Sequence, residues 1–205
     1  MPNAQLIGLF DRDIFLKLAC CDLWGDLLEV ASIAKPFRLA TCSVRDTKWI
    51  RVFETPLEIP EAVIRERMGA MIAVTPPIDL LTDISVIRMG AVALTKAPGI
   101  DIGEALLTTV AQHVSDPNLL ITGDKKFIEA LRRHFPAIYA ELRDRIWSFE
   151  QCLLAICDAR GASYVIARVR PAAGCDKMFR SALGSGDTVD ETSFTDAIRS
   201  FRLPP

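Results

Sequence analysis

Residues 118–134 read NLLITGDKKFIEALRRH, and residues 6–18 read LIGLFDRDIFLKL. Each begins with a short apolar run of the kind found in strands buried on both faces, reaches an aspartate, and continues at helical spacing. A strand, an acid in the turn and a helix, occurring twice, predict an α/β fold with a parallel sheet. The strands are expected over residues 5–10 and 118–122, and the second helix over residues 125–134.

Between these anchors the pattern predicts two short helices over residues 14–34, interrupted at Gly25 and stopped by Pro36. Residues 37–44 look β-like. A helix is expected over 60–71; residues 79–94 fit a helix or a strand, with the helix preferred; and a helix is expected over 103–114 after a loop at 97–101. Beyond Pro136 the expectation is a helix over 138–147 and a β-like stretch over 163–169. The tail over 184–195 is rich in Gly, Ser and Asp. The domain reading is a first domain over 1–145 with a C-terminal extension over 146–205.

The 205 residues, half of them hydrophobic and 24% charged, are too apolar for a disordered chain. No apolar run reaches the ~18 residues of a spanning helix, and the opening segment is cut by Asp11, Arg12 and Asp13. A cytoplasmic protein with no membrane partner is therefore expected. A net charge of −2 argues neither for nor against nucleic acid, which leaves the question to local patches. One such patch runs from Lys125 to Arg145, with six basic residues against three acidic ones. Within it Lys125, Arg132 and Arg133 are candidate nucleic-acid contacts, Lys126 reads as helix surface, and surface salt bridging explains the patch equally well. The six cysteines contain no C-x-x-C pair and read as small buried residues. His113 and His134 belong to no catalytic motif.

Loops at the C-terminal ends of parallel strands share one edge, so Asp11 and Asp124 are expected to converge there. Glu104, in the first turn of its helix, suits both that edge and the positive end of the helix dipole. Crowded carboxylates repel one another, and an oxygen-preferring divalent cation, Mg²⁺ or Mn²⁺, relieves this better than Zn²⁺ where no His or Cys accompanies them. Asp11, Asp101 and Asp124 each also suit the bland role of a helix N-cap.

These stretches resemble the PIN-domain nucleases. Asp11 in LIGLFDRDIFLKL stands in the metal-binding position, with Asp13 where the family often has Asn. IDIGEALLTTVAQHV puts Glu104 in the second matching position, and LLITGDKKFIEAL resembles the late T-G-D pattern with Thr122 and Asp124. The resemblance implies a three-layer α/β/α fold and a metal-dependent ribonuclease. Asp11, Glu104 and Asp124 would be catalytic and hold Mg²⁺ or Mn²⁺, with Asp13, Asp101 and Thr122 supporting them. A further acid is usual after the second strand, where TCSVRDTKWIRVFE offers Asp46, the preferred fourth ligand, or the more distant Glu54. Arg12 departs from the small residue common beside the first acid. The partners implied are an RNA substrate, a cognate protein such as an antitoxin where the protein is a toxin or defence component, and a second copy in a homodimer.

Two other readings stand beside this one. In the first, the D-x-D of LFDRDIFL resembles haloacid-dehalogenase phosphatases, with Asp11 as nucleophile and Asp13 as acid/base; DIGEA then has no role. The second is a catalytically degenerate PIN-like binding or assembly module, whose signature would be the Arg12 guanidinium filling the metal position.

Overall fold

The computed structural model describes residues 5–53, 55–81, 83–186 and 188–202. In chain order the elements are β1 (Leu6–Phe10), α1 (Arg12–Cys21), α2 (Trp24–Val30), β2 (Ile33–Arg38), α3 (Glu61–Ala73), α4 (Ile84–Leu94) and α5 (Ile102–His113). There follow β3 (Asn118–Thr122), α6 (Lys125–His134), α7 (Pro136–Leu142), β4 (Ile146–Ser148), α8 (Phe149–Arg160), α9 (Ala162–Val169), α10 (Lys177–Leu183) and α11 (Glu191–Ser200). The chain divides into two compact units, one of Met1–Ile14, Ile33–Cys42 and Val74–Ser148, the other of Phe15–Ser32, Ser43–Ala73 and Phe149–Pro205.

The first unit holds a four-stranded parallel sheet in the order β2-β1-β3-β4, so the fold is α/β. Leu9 pairs with Phe37 on one side and Leu120 on the other, and Ile121 pairs with Trp147. The two apolar runs that opened the sequence reading form the central strands, and Ile7, Leu9, Phe10, Leu120 and Ile121 are buried. From β1 the chain goes to β2 on one side; from β3 it goes to β4 on the other. The order therefore reverses between β1 and β3, which opens a crevice at their C-terminal ends.

The second unit is helical. The Phe15 and Trp24 rings lie 5.0 Å apart and those of Phe149 and Phe179 5.5 Å apart, with Val165, Phe194 and Ile198 buried. Ion pairs add to this: Arg168 reaches Asp22 at 2.8 Å on the surface, and Lys17 meets Asp176 at 2.7 Å with both side chains largely buried. All six cysteines are buried thiols.

Several expectations are corrected. The break in the first helical stretch falls at Asp22, whose φ of 54° ends α1, while Gly25 sits inside α2. The helical reading ran on to Ala34, but Ser32 also has φ 54° and Ile33 already begins β2. Pro36 lies within that strand, which is tolerable because β2 is at the sheet edge. The β-like 37–44 stretch is thus displaced, the strand ending at Arg38. Helix α4 starts only at Ile84, behind its Asp83 cap. The helix expected over 138–147 stops at Leu142, because residues 146–148 pair with β3. Residues 163–169 are helical rather than β-like: Val165 and Val169, four apart, are both buried, and this packing overrides their β propensity. The Gly/Ser/Asp tail leads into α11, capped by Asp190.

Candidate active site

Asp11 follows β1 directly, and its backbone N–H donates to the Ile121 carbonyl at 3.0 Å, which ties the ends of the two central strands together. Asp124 follows β3 by two residues and caps α6: one carboxylate oxygen accepts from the N–H groups of Lys126 (2.7 Å) and Phe127 (3.2 Å). Its own N–H donates to Thr122 Oγ1 at 3.1 Å. Asp101 caps α5, accepting from Glu104 N–H at 2.9 Å, while Glu104 accepts from Asp101 N–H at 2.8 Å. This reciprocal capping box fixes the Glu104 side chain, and residue 104 is only 5% exposed.

These four carboxylates line one recess of about 470 Å³, together with Asp13, Arg12, Lys125 and Lys126. Burial pushes the Asp11 carboxyl up to about 6; the Arg12 N–H at 2.7 Å draws it down, and repulsion from Asp13 and Asp101 raises it further. Burial also raises Glu104, to about 8, against the Asp101 N–H and with repulsion from Asp101, Asp124 and Asp11 added. Such a site resists carrying its full negative charge.

Of the residues expected at the site, Asp11, Asp13, Asp101, Glu104, Asp124 and Lys125 line the recess, and Thr122 supports Asp124 from beneath. Asp46 belongs to the second unit, in a 3₁₀ turn over Val44–Val52. There its carboxylate accepts from Ser43 N–H at 2.8 Å in a capping box of its own, a role that the S-x-x-D spacing signals. Glu54 lies outside the described residues. Arg132 and Arg133 stand in the last turn of α6, away from the carboxylates. Lys126, expected as helix surface, is exposed and also lines the recess; its place in the first turn of a helix, where the dipole disfavours a cation, is the signal that points there.

The donors are all carboxylate oxygens, which suits Mg²⁺ or Mn²⁺, and a divalent cation would relieve the repulsion that raises Glu104. Among the described residues no three Asp, Glu, His or Cys side chains stand close enough to hold an ion as they are, so the carboxylates share a recess rather than a closed ligand shell. Among the described residues no helix is long and apolar enough to cross a membrane. Compared with known proteins, the chain matches no family model, and searches of curated proteins and of solved structures return no match.

Proposed function

We propose that this chain is a metal-dependent nuclease hydrolysing phosphodiester bonds in RNA, built on a three-layer α/β/α arrangement of PIN type. One observation carries the reading: carboxylates from three separate elements, Asp11, Glu104 and Asp124, line one recess where the strand order reverses, and two of them are held above their ordinary range. Asp11, Glu104 and Asp124 would hold the Mg²⁺ or Mn²⁺, with Asp101 fixing Glu104 through the capping box. When bound, the cation lowers the pKa of water and stabilises charge on a phosphate oxygen. The chain's own groups do the rest. Asp124 is oriented by two N–H groups of α6, Lys125 and Lys126 line the recess where they would supply positive charge for the phosphate, and Glu104 holds a proton at neutral pH that it would give up on ligating a cation.

The position of Glu104 favours this over the phosphatase reading, which gives that residue no role. Arg12 forms no ion pair with the carboxylates among the described residues, which disfavours a guanidinium-filled binding module. The test is cleavage of a mixed single-stranded RNA pool in Mn²⁺, Mg²⁺ or EDTA by wild type, Asp11→Asn and Asp124→Asn. Metal-dependent cleavage is expected, with a loss of about 100-fold or more in each variant. A folded wild type that cleaves nothing in either metal, with no rise in Tm on adding Mn²⁺, would overturn the reading.

A further inference from the structure

We propose that the far end of α6 is a second phosphate site, so that the substrate is a polynucleotide several nucleotides long and not a short phosphodiester. The inference rests on the nuclease reading for where the reacting bond lies. Lys126, Glu129, Arg132, Arg133, His134 and Gly99 line a second recess of about 770 Å³, and Lys126 lines the acidic recess as well. Positions 126, 129, 130 and 133 follow the i, i+3, i+4, i+7 rule of one helix face, on which Ala130 is buried beside the Gly99 loop, while Phe127, Ile128 and Leu131 are buried on the other. The wall opposite is the loop at Gly99, whose φ of 88° lets it lie against α6; an added Cβ would come within 3.3 Å of the Ala130 Cβ.

The basic side chains here are exposed and unpaired. Among the described residues none of Lys126, Arg132, Arg133 and His134 forms an ion pair, although Glu129 stands three and four residues before the two arginines, the usual pairing distances on a helix. Balancing the helix dipole would account for Arg132, Arg133 and His134 in the last turn. It does not account for Lys126, which stands at the opposite end, where that dipole opposes it. A polyanion lying along the face explains both ends together. Ten residues of α6 span about 15 Å, the length of roughly four stacked nucleotides at ~3.4 Å each. Arginine forks suit phosphate oxygens.

The experiment measures fluorescence anisotropy of labelled 3-mer and 12-mer RNA in EDTA over a salt series, with cleavage in Mn²⁺ measured in parallel. The variants are Arg132→Gln/Arg133→Gln and Glu129→Gln. The double variant should bind the 12-mer about tenfold more weakly and flatten the slope of log K against log salt by about 1.4, for two phosphates at ~0.7 each. The 3-mer, too short to span the face, should bind wild type far more weakly than the 12-mer, and Glu129→Gln should tighten the 12-mer, a gain that misfolding cannot imitate. Wild-type affinity in the double variant would overturn the proposal, as would polyglutamate of equal charge competing as well as RNA. If wild type also cleaves RNA in that case, the nuclease reading stands alone. Twelve-mer binding lost in the double variant, with no cleavage by wild type, would support the phosphate site and overturn the nuclease reading.

Discussion

Asp11 and Asp124 arise from the same local pattern, an apolar five-residue strand that runs through an acid into a helix, yet the fold gives them different surroundings. Asp124 is exposed and held by two helix N–H groups, so a helix explains its presence without any chemistry. Asp11 is half-buried, accepts one N–H from its neighbour and stands close to Asp13 and Asp101, and its carboxyl is raised to about 6. A protein selected for stability alone would not keep a charge there. The comparison shows that an acid after a strand is informative about function when its burial exceeds what the local hydrogen bonds repay.

The largest effect should come from removing the Asp11 charge. Its folded-state value of about 6 lies above the ordinary 3.8, and that of Glu104, about 8, lies above 4.5. In both windows the folded chain binds more protons than the unfolded one. Stability of the metal-free protein should therefore fall as pH rises from about 4 to 8, by up to ~1.4 kcal/mol per pH unit for each group while it titrates. Asp11→Asn should remove the Asp11 part and stabilise the metal-free protein at pH 8 by about 3 kcal/mol, although it destroys the proposed activity. Thermal melts of both proteins in EDTA at pH 5 and pH 8 measure this. A variant no more stable than wild type at pH 8 would show that burial of Asp11 carries no strain. Mn²⁺ should raise the wild-type Tm more at pH 8 than at pH 5, since the cation competes with protons for the same oxygens.

The legible parts of the molecule were those whose pattern and packing agree. The central strands, with Asp11 and Asp124 after them, stand at an abrupt change from period-free apolar runs to helical spacing, although helix capping is a competing reading of both acids. β2 was displaced because Pro36 reads as a helix stop, while an edge strand accepts it. β4 is three residues long and exists through its pairing with β3, a long-range fact that no window of sequence contains. Asp46 is a fourth ligand only by the family resemblance, whereas its S-x-x-D spacing specifies the capping box that the structure shows. The recess beside Gly99 depends on a loop folding onto α6, which no window of sequence around Lys126 contains.

The cap itself separates structure from chemistry at Asp124. Asn caps a helix about as well as Asp, so Asp124→Asn should leave stability within a few tenths of a kcal/mol while abolishing cleavage. Asp124→Ala should lose the bonds to Lys126 and Phe127 N–H as well, at a cost of about 1 kcal/mol. Denaturant midpoints of the two variants, compared with their cleavage rates, give both answers. Equal stability of the alanine and asparagine variants would mean that α6 does not depend on this cap.

The smallest effect concerns what lies beneath each acid. Asp11 N–H donates to a strand carbonyl, Ile121, and no side-chain substitution can withdraw that partner. Asp124 N–H donates instead to the Thr122 hydroxyl, whose side chain is buried. Thr122→Val keeps the shape and removes the acceptor, so an N–H is left unpaired at a cost of roughly 1 kcal/mol, about 2–4 °C in Tm for a chain of this size. Because the Asp124 carboxylate keeps its bonds to Lys126 and Phe127, Mn²⁺ should still raise the Tm of this variant about as much as that of wild type. Loss of the Mn²⁺ response in Thr122→Val would show instead that the hydroxyl sets the direction of the Asp124 carboxylate, and the two acids would then differ in how the fold aims them as well as in how far it buries them.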